Sequence, residues 1–288
     1  MVSSAVLMAA HVAGLQGRVK LEGCKSVITA ERFSSDEVER YARHLVLREV
    51  GGPGQQRLKS SRVLIVGVGG LGCVAGPLLA ASGVGGVGLV DPDEVSLSNL
   101  QRQTLYRTED VGRLKVDCAR ERLGEINPHV QVEAHPILLT PETADEIVAG
   151  YDLVLDGTDD FAARFAVNAA AFQAGVALVS GAIERWTGQV GVFGAGLTRD
   201  KPAGQRQACY RCLTPEIPPE AETCARVGVV GALAGVIGAM MALEAVKLIV
   251  GAGEPLVGRL LIYDALSAET RTVRVPADPA CPVCGEAG

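Results

Sequence analysis

What this 288-residue chain has little of narrows its function before any motif is read. Aromatic residues make up only 4%, too few for the stacking platforms that hold single-stranded nucleic acid. Basic residues are not in excess: 27 Lys and Arg against 33 Asp and Glu leave a net charge of -6, with no basic stripe to follow a phosphate backbone. Nucleic acid is therefore not an expected partner. The longest uncharged stretch, between Arg226 and Glu244, is dominated by Gly and Ala, short of the ~20 strongly apolar residues of a membrane span. It reads as a buried helix whose Gly231, Gly235 and Gly238 permit close backbone approach, beneath a sheet or at a subunit interface. Met1 to Gly17 is apolar but lacks the positive leading region of an export signal. Residues 1–30 read as a loose extension, and a cytoplasmic protein without membrane contact is expected.

An apolar content of 48% is ample for a core, and the length suits one α/β unit over residues 31–288. Asp36 to Ser60 reads as a helical lead-in carrying Tyr41, Arg43 and His44. Apolar runs at Val63–Val66, Val87–Val90, Val130–Glu133, Leu153–Leu155 and Ala177–Val179 then alternate with helical segments. That alternation predicts a Rossmann-like, mostly parallel sheet with helices on both faces. Gln189–Phe193, Arg259–Tyr263 and Thr270–Val275 read as strands of an antiparallel C-terminal extension. Between them, about 204–223 is rich in Pro, Cys and polar residues and reads as a mobile crossover loop.

The first strand runs into Gly67-Val68-Gly69-Gly70-Leu71-Gly72 and then an alanine-rich helix. Glycines there let backbone approach phosphate, and the unpaired N–H groups and positive dipole end of the helix favour an anion in front of Gly70. The second run ends in Asp91, at the ~20-residue spacing of a carboxylate that accepts from ribose hydroxyls. To this point NAD and ATP fit equally. Next come Ser98, Asn99, Gln101, Arg102 and Gln103, with Lys115 further on. Arg102 offers a two-pronged grip on phosphate and Lys115 a mobile point charge, which a polyphosphate needs and a dinucleotide does not. The run from Asp152 to Asp160 brings carboxylates to the carboxyl edge of a strand, where open α/β sheets bind ligands. Asp159 is the candidate for Mg²⁺, and either it or Asp160 also suits a helix cap ahead of Phe161 to Ala174.

Cys209 and Cys212 form one CxxC pair and Cys281 and Cys284 another, together the four thiolates of a tetrahedral structural zinc site. Redox use is the alternative, although neither pair opens a helix after a thioredoxin-like strand. Cys73 and Cys118 sit in apolar helical patterns as small core residues. Cys224 lies at the end of the crossover segment, before the glycine-rich helix and beside Arg226, where its thiol pKa would be lowered; a plain loop cysteine is the other reading.

Arg40-Tyr41-Ala42-Arg43, the glycine turn, Ser96-Leu97-Ser98-Asn99-Leu100-Gln101-Arg102-Gln103, Lys115, Asp156 to Asp159 and both CxxC pairs resemble the MoeB/ThiF family of ubiquitin-activating-type adenylyltransferases, its MoeB branch most. The resemblance runs from about Arg40 to Gly285. It implies adenylation by ATP of the C-terminal Gly-Gly carboxylate of a small ubiquitin-like sulfur carrier, releasing pyrophosphate, as in molybdenum cofactor synthesis; carriers for thiamine or tRNA thiolation use the same chemistry. It assigns Arg102 and Lys115 to phosphate, Gly67, Gly69 and Gly70 to backbone contacts, Asp91 to ribose, and Ser98, Asn99 and Gln103 to the rest of the pocket. Asp159 takes Mg²⁺ with Asp160 alongside, and the four clustered cysteines take zinc. An arginine at Arg43 reaches into the neighbouring subunit's site, implying a homodimer, and Cys224 matches a crossover cysteine used by some relatives for thioester or persulfide chemistry. Relatives commonly carry Asn where this chain has Asp160, so an extra negative charge near the triphosphate is expected to strengthen Mg²⁺ dependence. With no rhodanese-type domain after Gly288, sulfur is expected from a separate sulfurtransferase or cysteine desulfurase. The rivals left open are an NAD-dependent oxidoreductase and a non-catalytic carrier-binding scaffold.

Overall fold

The computed structural model describes residues 33–217 and 228–286. Residues 1–32, and with them the proposed N-terminal extension, lie outside the described residues, as does Cys224. Eight strands form one sheet in the order β3-β2-β1-β4-β5-β6-β7-β8. The parallel part comprises β1 (Arg62–Val66), β2 (Gly86–Val90), β3 (Gln131–His135), β4 (Leu153–Asp156) and β5 (Ala177–Glu184). The antiparallel part adds β6 (Thr187–Phe193), β7 (Arg259–Asp264) and β8 (Glu269–Arg274). This is the mixed α/β sheet expected from the sequence. β1, β2 and β4 are buried almost throughout, as strands covered by helices on both faces must be, and their Val and Leu runs follow from that.

Chain order reverses between β1 and β4: β2 and β3 lie to one side, β5 to β8 to the other. At such a switch point the loops leaving the two central strands diverge, and a crevice opens at their carboxyl ends. The glycine turn leaves β1 there and Gly157–Asp160 leaves β4 there.

The helices are α1 (Ser35–Arg40), α2 (Ala42–Leu45), α3 (Gly51–Ser60), α4 (Gly72–Ala81), α5 (Lys115–Ile126), α6 (Pro141–Val148) and α7 (Phe161–Ala174), followed by a long helix, Gly231–Val250. α1 begins with a capping box, in which Ser34 accepts from the Glu37 amide and Glu37 returns to Ser34. α7 ends on Gly175 in the left-handed conformation, φ 76°, which removes the Cβ penalty of that cap. The long helix is apolar enough to cross a membrane by length and composition, yet 61% of its apolar window is buried. It packs on α3, α4, β5 and β6 through residues such as Leu233, Ile237, Met241 and Ala245, all at most 2% exposed.

Of the three glycines expected to let that helix approach backbone, two do so. A Cβ on Gly231 would strike the carbonyl of Gln101, and one on Gly238 would stand 2.7 Å from the carbonyl of Leu71. Gly235 meets no backbone of its own chain and faces open space. At i, i+4 and i+7 the three glycines share one face of the helix.

In the span 204–223, residues up to Ile217 are described, and they hold the short helix Tyr210–Leu213 with Cys209 and Tyr210 buried. The remainder of that span lies outside the described residues.

Candidate functional site

At the switch point the glycine turn is shaped by backbone packing. Gly67 has φ 84°, a left-handed value that favours glycine, and a Cβ on it would lie 3.0 Å from the Gly157 carbonyl carbon and the Thr158 nitrogen. Turn and loop are therefore in direct contact, so the loop that carries Asp159 starts against the glycines. Gly72 opens α4 where any Cβ would hit the Gly67 carbonyl. Gly70 faces the Ala234 methyl and the Cδ of Arg102, at 3.3 and 3.8 Å from where its Cβ would be. Gly69 faces the Nε2 of Gln103 at 3.6 Å by the same measure.

Ser96–Gln103 folds over the turn as a 3-10 turn, Leu97–Asn99, and a further bend in which the amides of Arg102 and Gln103 both donate to the Asn99 carbonyl, at 3.0 and 2.9 Å. Ser98 is exposed, Asn99 half-buried, and the Ser96 and Ser98 hydroxyls are 3.0 Å apart. The Arg102 guanidinium donates to the Ser98 carbonyl at a loose 3.3 Å and is half-buried. Gln103 is 3% exposed, and its Oε1 has no hydrogen-bond partner among the described residues. A buried amide oxygen without a donor is costly, and the Nε2 of the same amide is the atom that faces Gly69.

Asp91 is 5% exposed at the end of β2. One of its oxygens accepts from the Val68 amide at 2.8 Å and the other from the Asp93 amide at 3.0 Å, which ties the glycine turn to β2. Each oxygen keeps a second lone pair for a hydroxyl. Burial pushes the Asp91 carboxyl above its usual range, with Lys115 pulling against it. Lys115 is 4% exposed, its ammonium donating to Asp93 at 2.7 Å and standing 3.7 Å from Asp91. Asp93, with its side chain 64% exposed, is a partner that sequence reading missed, because a single carboxylate on a surface loop carries no periodic signal.

The carboxylates from Asp156 onward divide by exposure. Asp156 is fully buried, accepting from the Thr158 amide and hydroxyl at 3.1 and 2.8 Å and from the Ser180 hydroxyl at 2.8 Å. Asp160 caps α7, its Oδ2 accepting from the Ala163 amide at 2.7 Å. Asp159 is exposed, and no hydrogen bond or ion pair engages its carboxylate among the described residues. The buried Arg164, also missed from sequence, ties this loop to β4 and β5, and Asp156 holds its guanidinium above the usual arginine value against the pull of burial. Its signal was a lone charge inside the apolar pattern Phe161-Ala-Ala-Arg-Phe-Ala-Val.

Away from the crevice, the sulfurs of Cys209, Cys212, Cys281 and Cys284 lie within 4.8 Å of one another, three of the residues buried. Cys209 and Cys281 are 3.5 Å apart and Cys212 and Cys284 3.4 Å apart. Tetrahedral zinc at Zn–S ~2.3 Å spaces its sulfurs ~3.8 Å apart, so the donor set fits that ion closely. Thiols this close cannot all ionise unaided. S–H donation from Cys209 and Cys284, with the Asp278 amide at 3.3 Å, lowers the Cys212 thiol, while Cys209 is pushed up. A cation removes that conflict. The pairs lie 72 residues apart in sequence, so the cluster pins Cys209–Cys212 to the C-terminal segment.

Arg43 is exposed on α2, and no hydrogen bond or ion pair joins it to another described residue. Its segment is nevertheless fixed. Tyr41, 4% exposed, accepts from the Asn127 amide at 2.8 Å, and His44 meets the buried Gln55 at 3.0 Å.

The ThiF family pattern matches residues 41–283. The chain is 48% identical over 257 residues to the sulfur carrier protein adenylyltransferase of Thermus thermophilus, covering 88% of this chain and 93% of that one. It is 45% identical over 254 residues to the molybdopterin-synthase adenylyltransferase of Escherichia coli, covering 88% and 99%. A probable adenylyltransferase/sulfurtransferase, MoeZ of Mycobacterium tuberculosis, is 46% identical over 255 residues, but those span 64% of that longer protein. Among solved structures, E. coli MccB with MccA-N7isoASN superposes with a TM-score of 0.74 at 22% identity, covering 86% of this chain and 75% of that one, a likeness of fold.

Proposed function

From the chain's membership of the ThiF family, we propose that its crevice adenylates the C-terminal carboxylate of a small sulfur-carrier protein, with ATP as donor and pyrophosphate as leaving group. One observation carries the reading: the glycine turn, Arg102, Gln103 and the loop bearing Asp159 converge at one switch point. The reaction brings an anionic carboxylate onto the α-phosphorus of a polyanion, forming a new O–P bond as the bond to the pyrophosphate oxygen breaks. The chain's task is to make that encounter tolerable. Amides of the glycine turn and the start of α4 face the phosphates, Arg102 exchanges its loose bond to Ser98 for phosphate oxygens, and Lys115 exchanges the exposed Asp93 for another. Asp91 accepts from ribose, Gln103 Oε1 from a nucleotide donor, and Ser98 and Asn99 complete the wall.

Asp159 would hold Mg²⁺, with Asp160 adding negative charge beside it; bound there, the ion would neutralise phosphate charge. The four cysteines would hold zinc as a structural clamp. The carrier ends in Gly-Gly and serves molybdenum cofactor synthesis, in keeping with the name of the E. coli relative. Sulfur then arrives from a separate sulfurtransferase or cysteine desulfurase, and the enzyme works in the cytoplasm as a homodimer with Arg43 crossing to the neighbouring site.

ATP–pyrophosphate exchange in the presence of a Gly-Gly carrier tests the reading. Arg102→Ala lowers exchange by about 10²- to 10³-fold, the worth of one preorganised donor. Melting temperature stays unchanged, since the side chain makes one weak internal bond. Full exchange in that variant would remove Arg102 from the site, and no exchange in the parent would leave only a carrier-binding scaffold.

A further inference from the structure

The Asp159 carboxylate makes no hydrogen bond or ion pair among the described residues, yet the backbone on either side of it is held. After it, Asp160 caps α7. Before it, the Thr158 amide and hydroxyl both donate to Asp156. The remaining freedom is rotation of the peptide that joins Thr158 to Asp159, and its carbonyl is gripped from inside the protein by the guanidinium of Arg164. Resting on the reading of Asp159 as the Mg²⁺ ligand, we propose that Arg164 is the positioning residue that sets that ligand's direction.

Arg164 sits on α7 with 5% exposure. One terminal nitrogen donates to the Thr158 carbonyl and, at 3.1 Å, to the Gly181 carbonyl. The other donates to the Ser180 hydroxyl at 3.1 Å, and Nε is 3.4 Å from Asp156. These acceptors belong to the end of β4, the middle of β5 and the loop, so the planar fork ties three pieces of chain to one rigid group. The guanidinium stands 5.3 Å from the ring centre of Tyr210, whose amide donates to Asn168, one turn further along α7, at 2.7 Å. The outer wall is thus the Cys209–Cys212 segment, and the arginine has no room to turn. A buried Arg–Asp pair gives little net stability over apolar residues of equal volume, so stability alone is a weak reason to place one here. Orientation of the one peptide ahead of Asp159 is a sufficient reason. A lysine keeps the charge opposite Asp156, but its single nitrogen cannot serve acceptors on three segments.

The test compares the parent, Asp159→Ala, Arg164→Lys and the charge-neutral double variant Asp156→Asn/Arg164→Gln. Three quantities are measured: the Mg²⁺ concentration for half-maximal pyrophosphate exchange, ATP affinity in EDTA, and Mn²⁺ binding to the ATP complex by electron paramagnetic resonance. Arg164→Lys should melt cooperatively, bind metal-free ATP within about twofold of the parent, and need about 10- to 100-fold more Mg²⁺, as loss of a ligand-orienting partner does, with a matching loss of Mn²⁺ affinity. The double variant shows the same split without a buried unpaired charge. Folded variants with parental metal requirement overturn the proposal. So do an equal loss of ATP and metal affinity, and collapse of both variants, which would make Arg164 a core residue only. If the parent exchanges without Mg²⁺, or Asp159→Ala keeps its Mg²⁺ response, the metal reading of Asp159 fails first and this inference falls with it.

Discussion

Asp159 and Asp160 carry the same carboxylate on adjacent residues, and the structure separates their duties. Asp160 points back to the Ala163 amide and closes the start of α7, whereas the Asp159 carboxylate makes no hydrogen bond or ion pair among the described residues. Capping does not consume the Asp160 charge, because one oxygen remains exposed on a loop that touches the glycine turn. On the proposed function, metal-free ATP would meet two carboxylates here, where Asn at position 160 would leave one. Asn caps helices as well as Asp does, so Asp160→Asn should leave the melting temperature unmoved, while Asp160→Ala costs about 1 kcal/mol. Relief of roughly 1 kcal/mol of repulsion in Asp160→Asn should lower the ratio of exchange at saturating to trace Mg²⁺ by about fivefold. An unchanged ratio would mean that this charge takes no part in the Mg²⁺ requirement.

Among elements, the strands were legible because a strand covered on both faces is a short apolar run, and Val63–Val66, Val87–Val90 and Leu153–Leu155 are all of that kind. β5 runs on to Glu184, past its apolar run, because its far half is held by antiparallel pairing with β6. No local pattern announces that. The glycine turn and Arg102 were legible through order and spacing. Lys115 was legible as a cation but its partner Asp93 was not, and Arg164 was hidden in a helix pattern, since burial of a charge depends on acceptors supplied by distant strands. Glycines on the long helix sharpen the point: spacing marked three, and packing uses two. Gly231 lies against the Gln101 carbonyl, directly ahead of Arg102, so a methyl there must displace the segment that carries Arg102. Gly231→Ala should fold with the Gln101 segment shifted, yet lose about 100-fold in exchange from the misplaced arginine. Gly235→Ala, which meets nothing within 4 Å, is the control and should exchange like the parent. Equal rates in both variants would show that the contact at Gln101 yields without consequence for the site.

At the scale of the whole molecule, two features point beyond a single chain. Leu78 on α4 and Val236 and Leu243 on the long helix are 42%, 38% and 59% exposed, apolar side chains on two helices that pack together. Arg43 stands on a firmly anchored base, through Tyr41 with Asn127 and His44 with Gln55, and still has no partner among the described residues. A long cation held at its root and left open at its tip suits a phosphate site in a second copy of the chain, across a twofold interface. Complementation separates this from action within one chain. On that reading Arg43→Ala and Arg102→Ala should each be inactive as uniform dimers, every site lacking one cation. In mixed dimers isolated through two different tags, a shared site gathers both lesions into one pocket and leaves the other intact, so exchange returns to about half the parental rate per dimer. If Arg43 serves its own chain, each pocket in the mixed dimer keeps one lesion and exchange stays at the level of the single variants. The same preparation reports assembly, because a monomeric protein passes through only one of the two affinity steps.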